Sequence, residues 1–480
     1  MSSARTLQTG DGQTGDGPDA PVIVWFRRDL RLTDNPAWAD AVARRSPIVA
    51  SYVLDPRLLA SAGDLRRRLF VAHLHELDRT LREHGGRLRV LQGDATVVVP
   101  RLVAELGATA VFVNGDTTPY AKRRDTAVAA ALGERLVSHW GTLVHPPGSV
   151  LTKAGAVSQV FTPFHRTWEA TEWAAWPELP DDARPTVIDE VGVGLPPLDG
   201  DPPEPAGEAG ALARLAAFDE RADRYLDDRD RPAVEGTSLL SADLRFGTLS
   251  PRRVATHIGV GSRGRAGFVR QLAWRDWYAH LLDALPHLTT SPMKPDVGEI
   301  AWRDDPDGFD AWVRGKTGFP IVDAGMRELA ATGRMHNRVR MLTASFLVKD
   351  LLVDWRLGEQ HFRRALVDGD VAQNVGNWQW AAGTGPDAAP YFRVFNPTLQ
   401  SRKFDADGEY IRRWVPELAG LDATAIHEPA AVGPLELAAA GVVLDADYPA
   451  PIVDHHRARD RALDAYAAAK ERAASGGRAG

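Results

Sequence analysis

Cysteine is absent from the 480-residue chain. Its absence excludes disulfide bonds, cysteine-ligated metal sites, iron–sulfur clusters and thiol catalysis. The sequence also lacks any apolar run that approaches the ~18 residues of a membrane helix. Its first residues do not form the basic and then apolar segment of a secretion signal. We therefore expect a cytoplasmic protein with no membrane segment.

An excess of positive charge is also missing, since 57 lysine and arginine residues face 64 aspartate and glutamate residues and the net charge is −7. This balance argues against a uniformly basic surface, but it allows a local basic patch because phosphates respond to nearby charge. Residues 314–349 form such a patch, with seven basic side chains against Asp323 and Glu328. Tryptophan, by contrast, is abundant, and eight of the 14 lie at or after Trp274. Basic side chains interleaved with large aromatic rings are typical of a phosphate-binding rim around an aromatic pocket.

Three short apolar runs, Val22–Phe26, Ile48–Leu54 and Ala110–Asn114, have the length and composition of buried strands. The segments between them follow a helical period, as the apolar positions between residues 69 and 81 illustrate. Strands that alternate with helices predict an α/β domain with a doubly wound parallel sheet of Rossmann-like type. After residue 211 the apolar pattern is helical throughout, which predicts an all-α domain.

These patterns divide the chain into four parts. Residues 1–20 contain few apolar side chains and predict a disordered tail. Residues 21–145 form the α/β domain, residues 146–210 the connection between domains, and residues 211–480 the helical domain. Within the connection, residues 176–206 contain eight prolines, which predicts an extended segment that lies over the surface rather than packing.

Two segments have the composition of phosphate-binding turns. Residues 259–264 match G-x-G-x-x-G, but this fingerprint binds phosphates only between a strand and a helix. Here it follows a predicted helix in an all-helical region, so we interpret it as a glycine-rich turn. Residues 237–241, Thr-Ser-Leu-Leu-Ser, can cap a helix or seat a phosphate with hydroxyl and N–H groups.

Polar side chains further along the helical region indicate a buried site. Asn337, Arg340 and Met341 lie on one face of a predicted helix. Asp368 and Asp370 fit a buried ion pair with Arg340 and an acceptor for a heterocycle N–H, or else an acid–base pair for hydrolysis. Because no nucleophilic serine motif, catalytic histidine or metal-ligand spacing accompanies them, hydrolysis is the weaker alternative.

Five motifs, in this order, resemble those of the DNA photolyase/cryptochrome family, and most closely its class I cyclobutane pyrimidine dimer photolyases. They are residues 25–31 (WFRRDLR), 235–238 (EGTS), 272–276 (LAWRD), 335–338 (MHNR) and 374–382 (NVGNWQWAA). The match spans residues 22–466. The resemblance implies an α/β antenna domain, a long linker and a helical domain that holds FAD.

On this resemblance, two sets of residues would bind FAD. The phosphate and adenosine end would contact Tyr225, Thr237, Ser238, Leu239, Leu240 and Ser241. The rest of the cofactor would contact Gln271, Arg275, Asn337, Arg340, Asp368, Asp370 and Asn374. In the second set, Arg340 would pair with Asp368 and Asp370 would accept from flavin N3–H. Asn374 would face flavin N5, where a neutral amide tolerates the reduced, anionic flavin.

The resemblance also implies roles for the tryptophans and for several basic residues. The electron-transfer chain from the surface to the flavin would be Trp302, Trp355 and Trp378. The damaged bases would stack on Trp274 and Trp380, beside Asn337 and Met341, with Gln271 near them. Contacts with DNA phosphates would come from Arg229, Arg338, Arg393 and Lys403. Trp312 and Trp414 are expected to be core residues.

The chemistry that the resemblance implies is driven by light. Excited, fully reduced anionic FAD passes an electron to a flipped-out pyrimidine dimer in UV-damaged DNA, the cyclobutane ring opens and the electron returns. We expect a monomer that associates with the nucleoid where DNA is damaged. The alternative is a cryptochrome, a blue-light receptor without repair activity. Asn374, the pair Trp274 and Trp380, and the lack of a C-terminal extension favour repair.

Three positions refine this expectation. Gln271 stands where the family often has a glutamate that hydrogen-bonds the lesion, so we expect an altered contact there. Asn337 occupies the position of a histidine in (6-4) photolyases, which argues against (6-4) repair. For the antenna, residues 114–116 (Asn-Gly-Asp), with Asp116 and a possible partner at Arg245, resemble 8-hydroxy-deazaflavin sites more than methenyltetrahydrofolate sites.

Overall fold

The computed structural model describes residues 20–294, 300–386 and 393–476. The expected tail lies outside the described residues except for its last residue. The N-terminal domain contains a five-stranded, all-parallel sheet in the order β3-β2-β1-β4-β5. The strands are β1 (Val22–Phe26), β2 (Ile48–Leu54), β3 (Arg89–Gln92), β4 (Ala110–Asn114) and β5 (Leu136–His139). The helices between them are α1 (Pro36–Ala43), α2 (Pro56–Ala60), α3 (Asp64–Arg82), α4 (Ala95–Leu106) and α5 (Pro119–Leu132).

The three predicted strands are the three central strands of this sheet. All five residues of β1 are buried, and Val22 lies opposite Ile48 on one side and Ala110 on the other. The sequence did not indicate β3 and β5, which are four-residue strands at the two edges with one fully buried side chain in β3 and none in β5. Short edge strands lack the continuous apolar run that identifies a buried strand.

The connection between the domains packs more closely than its proline content predicts. Its first part contains α6 (Phe161–Ala170), and Phe161, Phe164 and Trp168 belong to the apolar core of the helical domain. Its proline-rich part extends the sheet, since Ile188 N donates to Ile48 O at 2.9 Å and Val193 N donates to Val90 O at 2.8 Å. Backbone hydrogen bonds therefore attach this segment to the sheet, whereas its proline content alone predicts a chain that lies loosely over the surface.

The C-terminal domain is helical. Among the described residues after 211, the only β-type pairing is an isolated bridge between Leu444 and Tyr448. The helices are α7 (Gly207–Asp219), α8 (Tyr225–Asp228), α9 (Ser241–Phe246), α10 (Pro251–Ile258), α11 (Arg263–Ala284), α12 (Pro306–Val313), α13 (Pro320–Thr332), α14 (Asn337–Ser345), α15 (Trp355–Ala365), α16 (Val371–Ala382), α17 (Pro397–Phe404), α18 (Glu409–Trp414), α19 (Pro434–Ala439) and α20 (His455–Gly476).

Two local predictions can be compared directly with these helices. The glycine pattern at 259–264 covers the turn after α10 and the first two residues of α11, so it is not preceded by a strand. The predicted helix that carries Asn337, Arg340 and Met341 is short: α14 ends at Ser345, a π-helical turn follows over Phe346–Asp350, and α15 begins at Trp355. Asp354 caps α15 by accepting from Arg356 N at 2.9 Å, which explains the new start.

We find no helix in the described part of the chain that combines the length and the apolar character needed to cross a bilayer.

Candidate functional site

The turn from Thr237 to Ser241 brings hydroxyl and N–H groups together just before α9. Arg221 Nη2 donates to Thr237 O at 3.3 Å, and Ser238 Oγ accepts from Leu240 N at 3.3 Å. Leu239 has a φ of +56° and an exposed side chain. This left-handed conformation costs a non-glycine residue roughly 1–2 kcal/mol. Such strain persists where surrounding contacts impose it, and it is concentrated at ligand sites.

Arg340 and Asp368 form an ion pair in the structure. Arg340 Nη2 lies 2.9 Å from Asp368 Oδ2, and its Nε donates to Met335 O at 2.8 Å. Burial raises the pKa of Asp368, but the charge of Arg340 outweighs it and leaves the pKa below its usual value. The other oxygen, Oδ1, is buried without a hydrogen-bond partner among the described residues. An ionised carboxylate with an unused buried oxygen is suited to an N–H or O–H donor.

Asp370 caps α16 and also joins the two domains. Its Oδ1 accepts from Gln373 N at 3.0 Å, and its Oδ2 pairs with Arg28, which follows β1. Burial raises the pKa of Asp370, but the charges of Arg28, Arg245 and Arg275 outweigh it and hold the pKa well below its usual range. A carboxylate has about four lone-pair sites, so Asp370 keeps acceptor capacity for a further donor.

Asn374 lies one turn into α16 and is fixed by Glu359 of α15. Its Nδ2 donates to the main-chain oxygen and to Oε1 of Glu359, each at 2.9 Å. A main-chain oxygen can only accept, so the amide nitrogen must face Glu359 and the amide oxygen is directed elsewhere. Both side chains are buried, and burial raises the pKa of Glu359. Asn374 therefore offers a fixed acceptor oxygen.

The three tryptophans of the expected electron-transfer chain differ in burial. Trp378 and Trp355 are 2% and 1% exposed, whereas Trp302 is only partly buried and meets Tyr466 edge to face at 6.3 Å between ring centroids. A Cβ at Gly358 would overlap the indole of Trp378. Glycine at this position therefore lets α15, which begins with Trp355, approach the helix that carries Trp378.

The expected lesion-binding residues lie on α11, α14 and α16. Trp274 and Trp380 are both half-buried at the margin of the helical core. Gln271 Nε2 donates to Gly267 O at 3.0 Å, one turn back in its own helix. Asn337 is exposed, and its Nδ2 lies 3.9 Å from Met341 Sδ. Trp312 is fully buried and Trp414 partly buried against the core, as expected of packing residues.

Three of the four basic candidates share one surface. Arg338 Nη2 pairs with Asp230 at 2.7 Å, and its guanidinium lies 4.3 Å from the ring centroid of Phe404. Lys403 Nζ lies 5.1 Å from the same ring centroid, and Arg229 precedes Asp230 in the chain. The remaining candidate, Arg393, is exposed. These contacts make a basic rim beside α14, where phosphates of a bound nucleic acid can be neutralised.

The carboxyl ends of β1 and β4 meet at the point where the strand order reverses, which is the usual ligand crevice of a doubly wound sheet. Asp116, just after β4, pairs with Arg28 at 3.3 Å. Arg28 Nε donates to Arg245 O at 3.4 Å, and Arg245 Nε donates to Gly369 O at 3.1 Å. Arg28 is therefore the direct partner of Asp116, and Arg245 is linked to Asp116 through Arg28. Burial lowers the pKa of Arg245 to about 9.

Three contributing residues were not singled out by the sequence. Arg28 belongs to the motif over 25–31, and its place directly after a buried strand is a signal that could have identified it. Glu359 sits four residues after Trp355, and Phe161 lies in the connection between domains. Nothing in their immediate sequence separates these two from ordinary helix residues, because their partners are distant in the chain.

Comparisons with known proteins match both domains. A sequence model described as DNA photolyase matches residues 22–181, and one described as the FAD binding domain of DNA photolyase matches residues 268–468. A deoxyribodipyrimidine photo-lyase of Agrobacterium fabrum is 42% identical over 94% of this chain and 98% of its own length. A crystal structure of a bacterial class III photolyase from Agrobacterium tumefaciens superposes with a TM-score of 0.87 and 40% identity, covering 98% of this chain and 100% of that one. A cryptochrome of Synechocystis superposes with a TM-score of 0.85 and 29% identity over 93% and 99% of the two chains.

Proposed function

The chain belongs to the DNA photolyase family, and we propose that it is a deoxyribodipyrimidine photo-lyase that uses light to split cyclobutane pyrimidine dimers in DNA. Relatives of that name match this chain over nearly its whole length at about 40% identity. The cryptochrome alternative shares the fold but is less similar in sequence. Bound, reduced FAD supplies the electron that opens the dimer.

The residues of the helical domain fit FAD. The strained turn over residues 237–241 offers hydroxyl and N–H groups for the phosphates, and Tyr225 of the same proposed set is buried. Asp368 Oδ1 is a buried acceptor that lacks a partner among the described residues, as expected of a group that a cofactor satisfies. Asp370 adds a second acceptor, and Arg340 keeps Asp368 ionised. Gln271, Arg275 and Asn337 complete the proposed set.

The observation that carries the proposal is the contact between Asn374 and Glu359. Because Nδ2 is held by two acceptors of Glu359, Asn374 has its oxygen free to accept. Reduced flavin has an N–H at N5, whereas oxidised flavin has a bare acceptor nitrogen there. The orientation of Asn374 therefore favours the reduced form that repair requires.

The remaining roles follow from position. Trp274 and Trp380 would stack on the bases of the dimer, and Gln271, Asn337 and Met341 would contact their edges. Arg229, Arg338, Arg393 and Lys403 would bind phosphates and hold the duplex while the dimer is flipped out. Trp378, Trp355 and Trp302 would return electrons to the flavin from the surface. We propose that the protein acts as a cytoplasmic monomer that joins the nucleoid at damage.

For the antenna we propose 8-hydroxy-deazaflavin rather than methenyltetrahydrofolate. Residues 114–116 carry the sequence resemblance, and the crevice beside Asp116 supports the placement because it lies at the switch point of the sheet. Arg28 and Arg245 give the crevice basic groups that suit an acidic chromophore. Release of the chromophores by denaturation, followed by absorption and mass spectra, separates the two types.

Repair of a synthetic oligonucleotide with one thymine dimer tests the function. The flavin is first reduced, and one sample is exposed to blue light while its match stays in darkness. We expect the dimer to disappear only in the light. An intact dimer in the light, despite bound and reduced FAD, would instead identify a cryptochrome.

A further inference from the structure

Phe161, the first residue of α6, packs its ring against two side chains of α11. It stacks on Trp274 with ring centroids 3.7 Å apart and ring planes inclined by 13°. The guanidinium of Arg270 also lies 5.2 Å from the Phe161 ring centroid. Arg270 and Trp274 are four residues apart, so both project from the same face of α11. Phe161 therefore packs against both an aromatic ring and a cation of α11.

Trp277, also on α11, contacts both stacked rings and the chain that precedes α6. Trp277 Nε1 donates to Ser158 O at 2.7 Å, which fixes the chain just before α6. The Trp277 ring also meets Phe161 edge to face at 5.6 Å and Trp274 edge to face at 5.1 Å between centroids. Phe161 itself is 1% exposed. The connection between the domains is therefore fastened to the helix that carries Trp274.

We propose that Phe161 is a positioning residue for dimer binding, through its hold on Trp274. An indole has two faces, and Phe161 covers one of them. Only the other face is left to stack on a base, and it is held in one orientation before DNA arrives. A ring that is fixed in advance loses less freedom on binding, which increases affinity. This inference rests on the proposed function, because it requires Trp274 to contact the dimer.

The test compares the variant Phe161→Leu with Phe164→Leu. Phe164 lies on the same helix, is also 1% exposed and packs edge to face on His280 at 5.4 Å. Both changes remove one buried ring of α6, but only the first removes the stack on Trp274. Phe161→Tyr keeps the stack and serves as the rescue variant. FAD content and melting temperature of each purified holoenzyme show that it is folded.

We expect Phe161→Leu to weaken binding of a dimer-containing oligonucleotide about 3- to 10-fold, the range that one lost aromatic contact produces. Affinity for the undamaged oligonucleotide and the repair rate at saturating dimer should stay near the parent values, so KM changes and kcat does not. Phe161→Tyr should restore the affinity. Phe164→Leu should lower the melting temperature without changing the preference for damaged DNA.

Three results would overturn the inference. If Phe161→Leu binds the dimer as tightly as the parent while Trp274→Ala does not, Phe161 has no positioning role and the proposed lesion site stands. If Trp274→Ala also leaves the affinity unchanged, the lesion site itself is wrong and the inference fails with it. An equal loss in Phe161→Leu and Phe164→Leu would assign the effect to stability alone.

Discussion

Trp312 and Trp378 meet edge to face in the helical core, with ring centroids 6.1 Å apart and ring planes inclined by 73°. Both indoles are almost fully buried. Trp312 Nε1 donates to Thr343 O at 3.0 Å, a hydrogen bond typical of a packed tryptophan. Two neighbouring rings of equal burial thus have different expected roles, one in packing and one in electron transfer.

Trp312 provides a matched control for the proposal that electrons pass through Trp378. Trp378→Phe should abolish the light-driven reduction of oxidised flavin by an external thiol, because the first ring of the chain is lost. Trp312→Phe, with the same loss of volume one contact away, should retain it. Flavin absorption under continuous illumination measures both rates. Equal rates in the two variants would show that the electron does not pass through Trp378.

Chemically reduced Trp378→Phe should still repair a dimer in light. On the proposed roles, the dimer receives its electron from the flavin, and the tryptophans would serve only to restore the reduced state. Loss of repair in this variant, with its FAD content unchanged, would mean that Trp378 supports the flavin site itself.

Glu359 gives a second prediction through its contact with Asn374. Glu359→Leu removes one of the two acceptors that hold Nδ2, so the amide gains freedom to turn its N–H toward flavin N5. Because that orientation favours oxidised flavin, we expect reoxidation of the reduced enzyme in air and darkness to become several-fold faster. Glu359→Gln keeps an acceptor at the same place and should reoxidise at nearly the parent rate. Identical rates in all three proteins would contradict the assigned orientation.

Gln271 gives a third prediction. Its Nε2 donates to Gly267 O, a bond that a carboxylate cannot make because it has no donor. In Gln271→Glu the side chain must leave its own helix, and it can then accept from a base N–H of the dimer. We expect binding of dimer-containing DNA to tighten about 3- to 10-fold, as one added hydrogen bond does. The comparison needs a fixed salt concentration, since added negative charge also affects phosphate binding.

Gln271→Met is the control for this change. It too loses the bond to Gly267 O but offers no acceptor to the dimer. If Gln271→Glu and Gln271→Met bind the dimer equally well, the position makes no hydrogen bond with the lesion.

The sequence predicted those parts of the fold that depend on local pattern. The central strands and the helical second domain were visible in apolar spacing, and the turn at 259–264 followed from glycines placed after a predicted helix. The pair of Arg340 and Asp368 was proposed from the sequence as well, and Asp368 lies in the turn between α15 and α16 rather than on a helix face. The edge strand Arg89–Gln92 was missed because only one of its side chains is fully buried.

Contacts between distant segments could not be predicted in the same way. Arg28 is 342 residues from Asp370, and Phe161 is 113 residues from Trp274 in the chain. No periodicity connects such positions, and each partner alone has a simpler explanation as a surface arginine or a core ring. The interdomain ion pair and the stack on Trp274 therefore required the three-dimensional structure.

His73 on α3 gives a prediction about pH. It is fully buried, and its Nδ1 accepts from Gly207 N at 3.0 Å, so the ring is neutral in the folded protein. Burial, with the nearby charge of Arg214, lowers its pKa from 6.5 to about 3. Below pH 6.5 the unfolded chain therefore takes up a proton that the folded protein does not. The contribution of His73 to stability is complete above this pH and falls as the pH drops toward 3.

His73→Asn removes this dependence while keeping an acceptor oxygen near the position of Nδ1. At pH 8 the variant should melt at the parent temperature or below it, because it loses the ring contact with Phe246 at 4.9 Å. At pH 5 the free energy of unfolding of the variant should improve relative to that of the parent by about 2 kcal/mol compared with pH 8. This is the cost that the parent bears at pH 5 for keeping a buried imidazole neutral. Melting temperatures of both holoenzymes at the two pH values measure the shift, and titrating groups that they share cancel in the difference. A difference that stays constant from pH 8 to pH 5 would mean that His73 is protonated in the folded protein, against the hydrogen bond from Gly207.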